Sequence, residues 1–285
     1  MEQKLGLVME GGAMRGLFTA GVIDVFLENG IRTDGVAGIS AGATFGCNYL
    51  TQQIGRPLRY CTRFAADPRF CSYASLLLTG DMYGAEFCYR TIPEELDPID
   101  NETFLKNGIP FYIACTDVNT GRAVYHRCRD LISHEEMEWV RACASMPLVS
   151  RIVRIGDYAL LDGGIADSIP LKYMEYKGYG RNIVILTQPR GYEKGPNSLM
   201  PLARKVYRNY PAFVRAMERR HIVYNRQTAY VAQAEAEGRA FVIRPPQKLP
   251  VEHMTHNAKL MREVYAAGRK TAQQLLPSLR EFIAR

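Results

Sequence analysis

Residues 34–46 read Asp34-Gly-Val-Ala-Gly-Ile-Ser40-Ala-Gly-Ala-Thr-Phe-Gly46, and Gly38-Ile39-Ser40-Ala41-Gly42 within them has the G-x-S-x-G spacing. In that pattern a serine sits on a sharp turn between a strand and a helix. Val36-Ala37 supplies the apolar end of a short strand, and Ala41 to Leu50 reads as the helix. A side chain at Gly38 or Gly42 would strike the neighbouring strand or helix as the backbone doubles back. The serine oxygen then stands at a helix N-terminus, where unpaired N–H groups favour negative charge. The same five residues also suit an ordinary tight turn with a capping serine, so the flanking sequence decides.

Upstream, Leu5-Gly-Leu-Val-Met9 is a short apolar run that ends in Glu10-Gly11-Gly12-Ala13-Met14-Arg15-Gly16. Leu17, Ala20, Ile23, Val25 and Leu27 follow, too apolar for an exposed helix, and predict one packed against a sheet. Asn29-Gly30 stops it, and Ile31 to Ala37 returns as a second strand. Strand, glycine loop, helix, strand, turn, helix is the alternation of a parallel α/β sheet. Downstream, helices are expected at 58–66 and 72–78, the second an apolar flap, and Pro93 and Pro98 make the next stretch a loop. Residues 110–116 and 122–127 read as a hairpin, and Ser133-x-x-Glu136 has the form of a capping box. Tyr158-Ala-Leu-Leu161 runs into Asp162-Gly163-Gly164, and Asn182 to Thr187 is the last strongly apolar strand.

The texture changes after Pro189. Residues 198–237 are helical and basic, 241–243 form a short strand, and 256–282 are helical with a break near Pro277. The fold expected is α/β, a three-layer αβα sandwich with a mostly parallel central sheet. Its catalytic domain spans 1–190, and a basic, mainly helical C-terminal extension spans 191–285.

The chain has 285 residues, 47% hydrophobic and 23% charged, as ordinary globular domains have. No apolar run approaches the ~20 residues that span a bilayer, and Met1 to Met9, followed at once by Glu10, does not read as a signal peptide. Seven scattered cysteines without a C-x-x-C pair suggest reduced thiols and a cytoplasmic protein, with no metal and no cofactor. Residues 189–285 hold 18 Lys/Arg against 7 Asp/Glu, or +11; the first 188 hold 18 against 22, or −4. Arg204, Lys205, Arg208, Arg219 and Arg220 form either a solvated helical face or a contact for anionic lipid headgroups. The second reading places the protein peripherally at the inner face of the membrane through 204–220. No nucleic-acid motif accompanies the charge, and the sequence does not set the oligomeric state.

Acyl transfer needs a nucleophile, a base for its proton, and donors aimed at the developing oxyanion. Ser40 offers the first, and Asp162, followed by two glycines, can approach it closely. The N–H groups of Gly11, Gly12 and Ala13 offer the third. In a parallel sheet all three loops emerge at the carboxyl ends of strands, the edge where such sheets bind ligands.

Glu10-Gly-Gly-Ala-Met-Arg-Gly16, Gly38-Ile-Ser-Ala-Gly42 and Asp162-Gly163-Gly164, in that order, resemble the motifs of the patatin-like phospholipase family. The resemblance covers roughly residues 4–190 and implies a Ser–Asp dyad acting on lipid acyl esters without a catalytic histidine. Carried over, Ser40 is the nucleophile, Asp162 the base, Gly11, Gly12 and Ala13 the oxyanion loop, and Arg15 the loop's basic residue. Gly16, Gly38, Gly42, Gly163 and Gly164 support the motifs. Ala13 departs from the third glycine of many members, and Gly11 and Gly12 are expected at φ values that a Cβ would oppose.

Four other readings compete. A dinucleotide loop fails at Ala13 and gives Ser40 and Asp162 no use; a phosphate-binding Walker loop lacks its Lys-Ser/Thr. An α/β-hydrolase triad can draw on His221, His253 or His256, but only 39 residues precede Ser40, too few for the strands that fold places before its nucleophile. A non-catalytic membrane-surface or partner-binding module is the fourth. His126 and His134 are expected on a hairpin and a helix surface.

Overall fold

The computed structural model describes residues 3–251 and 254–285. Strand β1 (Leu5–Met9) leads through the glycine loop to helix α1 (Gly16–Glu28), then to β2 (Gly35–Gly38) and the serine turn. Two short helical turns, α2 (Ala41–Thr44) and α3 (Cys47–Leu50), stand where one helix is expected. Helices α4 (Arg56–Arg63), α5 (Tyr73–Thr79) and α6 (Asn101–Asn107) follow. Between α5 and α6 lies a π-helical segment, Phe87–Leu96, with Pro93 inside it, where the prolines suggest a loop. Burial of Phe87, Ile92 and Pro93 overrides the local preference there.

Strands β3 (Phe111–Asp117) and β4 (Ala123–Cys128) form the expected hairpin, and α7 (His134–Cys143) begins at Ser133. The capping box is not made. The Ser133 side chain caps nothing, and Glu136 turns inward to His126 and Arg129. Strands β5 (Val153–Ile155) and β6 (Tyr158–Asp162), helix α8 (Leu171–Tyr176) and strand β7 (Arg181–Ile185) complete this part. The remainder comprises α9 (Met200–Val206), α10 (Pro211–Ala236), β8 (Ala240–Ile243) and α11 (Ala258–Ala284). Helix α11 runs unbroken through Pro277, because Leu279 and Phe282 beyond it are buried and hold the last turns in place. Among the described residues no helix is long and apolar enough to cross a membrane.

The sheet is ordered β5-β6-β3-β2-β1-β7-β8, with β4 also on β3. Strands β3, β2, β1, β7 and β8 run parallel, so the strand after residue 190 extends the same sheet. Side chains alternate across it: Leu7, Met9, Ile183 and Ile185 face a core shared with α1 and α11, whereas Val8, Val184 and Val242 face α8 and α10. Helix α1 is buried from Gly16 to Phe26, as its all-round apolarity requires, because α11 covers the side away from the sheet. The result is a three-layer αβα fold with a largely helical C-terminal segment.

One detail of register positions the site. Strand β3 gives one edge to β4 and shares the other between two strands. Its first half pairs parallel with β2, Gly38 opposite Ile113; its second half pairs antiparallel with β6, Asp162 opposite Cys115. Strands β2 and β6 thus run head to head along one edge, and their carboxyl ends meet at Ala114. This corrects the expectation that Asp162 ends a parallel strand. The aspartate approaches the serine turn from the opposite direction.

Candidate active site

Ser40 occupies the turn between β2 and α2 with φ 53° and ψ −122°, a backbone conformation that L-residues rarely adopt. The turn is held from both sides. A Cβ on Gly42 would fall inside contact distance of the Met9 carbonyl oxygen, and one on Gly38 would meet the Gly42 carbonyl. Only glycines let the chain pass β1 this closely. The Ser40 N–H donates to Cys143 Sγ of α7 at 3.2 Å, a buried contact that ties the strained residue to the next helix. Cys143 carries no motif and stays hidden in the sequence. Its thiol, buried beside the Asp162 carboxylate, is pushed up to about 12.

Asp162 is buried at the end of β6. Its Oδ1 accepts from the Gly164 N–H at 2.7 Å, and the Ser40 hydroxyl is near enough to the carboxylate to favour its ionised form. Thr116 Oγ1 donates to the Asp162 carbonyl at 2.9 Å, and the Asp162 N–H donates to the Ser145 carbonyl at 2.7 Å, so the backbone under the carboxylate is fixed on both sides. A Cβ on Gly163 would run into the Ala114 carbonyl at the junction of β2 and β6. Burial raises the Asp162 pKa above that of an ordinary aspartate; the Ser40 hydroxyl, the Arg220 charge and the Gly164 N–H oppose the rise.

The glycine loop closes the third side. Glu10 is buried and anchors it: Oε2 accepts from the Thr187 N–H at 2.6 Å and Oε1 from the Tyr224 hydroxyl at 2.7 Å. Burial raises its pKa as well. The N–H groups of Gly11, Gly12 and Ala13 have no acceptor among the described residues, and the three residues line a cleft that also contains Ser40 and Asp162. The φ expectation for this loop is reversed. Gly12 has an extended φ of −177°, and it is Ala13 that takes a left-handed φ of 48°. Glycine is required at 11 and 12 by proximity: a Cβ would stand 2.9 Å from the Ile39 carbonyl and 2.6 Å from Thr187 Oγ1, respectively. Gly16 likewise opens α1 against Ala41 and Phe45.

Two cavities meet at Ser40. The first, of about 120 Å³, is apolar, bounded by Met14, Phe45, Tyr60, Ile92, Val140 and Met146 among others. The second, of about 440 Å³, is polar around Glu10, Arg15, Lys194 and Arg220. Arg220 belongs to this cleft and not to a solvated face: its Nε donates to the Gly164 carbonyl at 2.6 Å. A nucleophile, a buried carboxylate and unused N–H donors around a cleft with an apolar branch can perform acyl transfer.

His221 and His256 lie elsewhere. His256 Nδ1 donates to the Ala65 carbonyl at 2.8 Å, and neither ring reaches Asp162 or lines the two cavities. His253 lies outside the described residues. His126 is half-buried, stacked on Trp139 and bonded to Glu136 Oε2 at 2.7 Å, not on an open hairpin surface. With Cys128 these groups lie within 4.8 Å of one another, but Arg129 already occupies the other Glu136 oxygen at 2.6 Å.

A family model described as a domain of unknown function (DUF6363) matches residues 210–284. The uncharacterized protein YjjU of Escherichia coli (strain K12) is 23% identical over 287 residues, covering 98% of this chain and 79% of that protein. Lysophospholipase nte1 of Aspergillus niger is 30% identical over 189 residues, covering 64% of this chain but only 12% of the fungal enzyme. Among solved structures, VipD from Legionella pneumophila aligns over 97% of this chain and 67% of its own, with a TM-score of 0.49 and 12% identity. The model for the patatin-like phospholipase family matches residues 7–174, from β1 through the serine turn and Asp162-Gly163-Gly164, and the chain belongs to that family.

Proposed function

We propose that this protein is a serine lipid acyl hydrolase, of phospholipase A or lysophospholipase type, acting through Ser40 and Asp162. The observation that carries the reading is the head-to-head meeting of β2 and β6, which sets the strained Ser40 against a buried carboxylate beside free N–H groups. Asp162 takes the Ser40 proton as Oγ attacks the ester carbonyl. The oxyanion is held by N–H groups of the Gly11–Ala13 loop, and the alcohol leaves with the proton that Asp162 returns. Water, deprotonated by Asp162, then attacks the acyl-Ser40 ester, and Asp162 returns that proton to Ser40 Oγ as the fatty acid is released. A base with a raised pKa is better matched to this transfer near neutral pH than an ordinary carboxylate. The apolar cavity beside Ser40 suits the acyl chain, and the polar cleft suits the rest of the substrate.

The lysophospholipase relatives and the family support a lipid as substrate. A peripheral membrane position is supported by exposed Leu199, Leu202 and Val206 on and beside α9, next to exposed Lys205 and Arg208, and by exposed Tyr73, Leu77 and Leu78 on α5. Tyr73 and Leu199 both stand at the mouth of the polar cleft. Seven unpaired cysteines fit a cytoplasmic setting.

The test is steady-state kinetics on a lysophospholipid and a short-chain ester. Ser40→Ala and Asp162→Asn are each expected to cost several orders of magnitude in kcat, as coupled nucleophile and base do. Substantial turnover in a folded Asp162→Asn protein would reject the dyad.

A further inference from the structure

The larger cleft gathers more positive charge than the dyad needs, since of its cations only Arg220 acts on Asp162. Arg15, Lys194 and Arg220 all line it, and no carboxylate lies within ion-pair distance of any of them among the described residues. The two acids present are committed. Glu10 accepts from Thr187 and Tyr224, and Asp162 accepts from Gly164 beside the Ser40 hydroxyl. Three cations gathered in a partly buried cleft repel one another, and each gives up hydration there. Lys194 registers both effects: burial, then the charges of Arg220 and Arg15, push its ammonium down to about 8.

These side chains are built into place. The Lys194 main chain is clasped by Asn225 of α10, which accepts from its N–H at 2.9 Å and donates to its carbonyl at 3.1 Å. Its ammonium lies 4.9 Å from the centre of the Tyr224 ring, the same tyrosine that anchors Glu10. Arg220 is fixed through Nε to the Gly164 carbonyl, which leaves its terminal N–H groups without partners among the described residues. Arg15 Nε is buried without a partner. Guanidinium groups with free N–H donors beside an ammonium match the several oxygens of a phosphate better than the single charge of a carboxylate.

We propose that Lys194 and Arg220, together with Arg15, bind the phosphate of a substrate headgroup while the acyl chain enters the apolar cavity on the other side of Ser40. This deepens, and rests on, the reading of the protein as a lipid acyl hydrolase. It also makes the segment after residue 190 part of the site. The family part supplies the nucleophile, base and Arg15, and the C-terminal segment supplies the other two cations. Arg220 lies in the part matched by the domain of unknown function.

Calorimetric titration with octyl phosphate, which has no acyl ester to cleave, tests the site apart from catalysis. Octyl glyceryl ether serves as the neutral ligand and inorganic phosphate as the free anion. Lys194→Met, which keeps the stem, and Arg220→Gln are each expected to weaken octyl phosphate at least about tenfold, ~1.4 kcal/mol, with the ether affinity changed less than about twofold. Thermal melting checks that both variants are folded. Unchanged octyl phosphate affinity in folded Lys194→Met, or equal losses for phosphate and ether, overturns the site. Inorganic phosphate binding as tightly as octyl phosphate overturns the lipid source in favour of a free anion. If wild type binds octyl phosphate as described but hydrolyses no lysophospholipid, the anion site holds and the catalytic reading fails.

Discussion

At the residue scale, Asp162 as the proposed base meets two opposed demands. A base must be ionised to accept a proton, yet burial makes ionisation costly, and its raised pKa expresses that cost. Because the deprotonated form is active, hydrolysis should rise with pH through this raised pKa, with an acid limb above the ~4 of an ordinary aspartate. Arg220 holds the pKa down, so Arg220→Gln should move the limb to higher pH. The pH profile of kcat/KM on a neutral short-chain ester checks this. A limb that stays in place or moves down would mean that the Arg220 charge does not reach the dyad. The residue scale is also where the sequence is most and least legible. Ser40, Asp162 and the glycines stand in motifs whose spacing carries their chemistry. Arg220 stands among several arginines, and its inward aim comes only from sharing a helix face with Phe213, Met217 and Tyr224, all buried. Cys143 leaves no trace, because its contact to the Ser40 N–H spans 103 residues of chain.

At the scale of elements, the site depends on two strands ending at one point on β3. Gly163 is the joint. A Cβ there would strike the Ala114 carbonyl, a backbone atom that cannot turn aside, so Gly163→Ala must push β6 from β3 or shift the Asp162 turn. Overpacking of this kind costs about 1–3 kcal/mol. A shift of ~1 Å in a positioned group is enough to lower kcat about 10²-fold. Kinetics and thermal unfolding of Gly163→Ala together should show both losses; a folded variant with wild-type kcat would show that the junction does not position the base. Local pattern correctly marks the βαβ start, the hairpin and the helices after Pro189. It misses the antiparallel course of β6, because an apolar run such as Tyr158 to Leu161 has no direction until it pairs. It also misses the π-helical segment and the unbroken α11, where distant packing outweighs the local preference of Pro93 and Pro277.

At the scale of the whole molecule, the cleft at Ser40 opens beside exposed apolar groups on α5 and α9, with Lys205 and Arg208 near them. Docking there should require anionic lipid and weaken as salt rises, since exposed charges are screened over ~8–10 Å near physiological ionic strength. Leu77→Ser with Leu202→Ser, or reversal of Lys205 and Arg208, should lower vesicle binding in sedimentation and lower turnover of vesicle lipid more than that of a soluble ester. Equal losses on both substrates would assign α5 and α9 a purely structural role. The central claim remains that β1, β2 and β6 bring a glycine loop, a strained serine and a buried aspartate to one point for acyl transfer. Its most direct measurement is labelling with a fluorophosphonate probe, followed by mapping of the modified peptide. The account predicts one modification, on Ser40, abolished in Ser40→Ala and strongly slowed in Asp162→Asn; a folded wild-type protein that stays unlabelled, or is labelled at another serine, would contradict it.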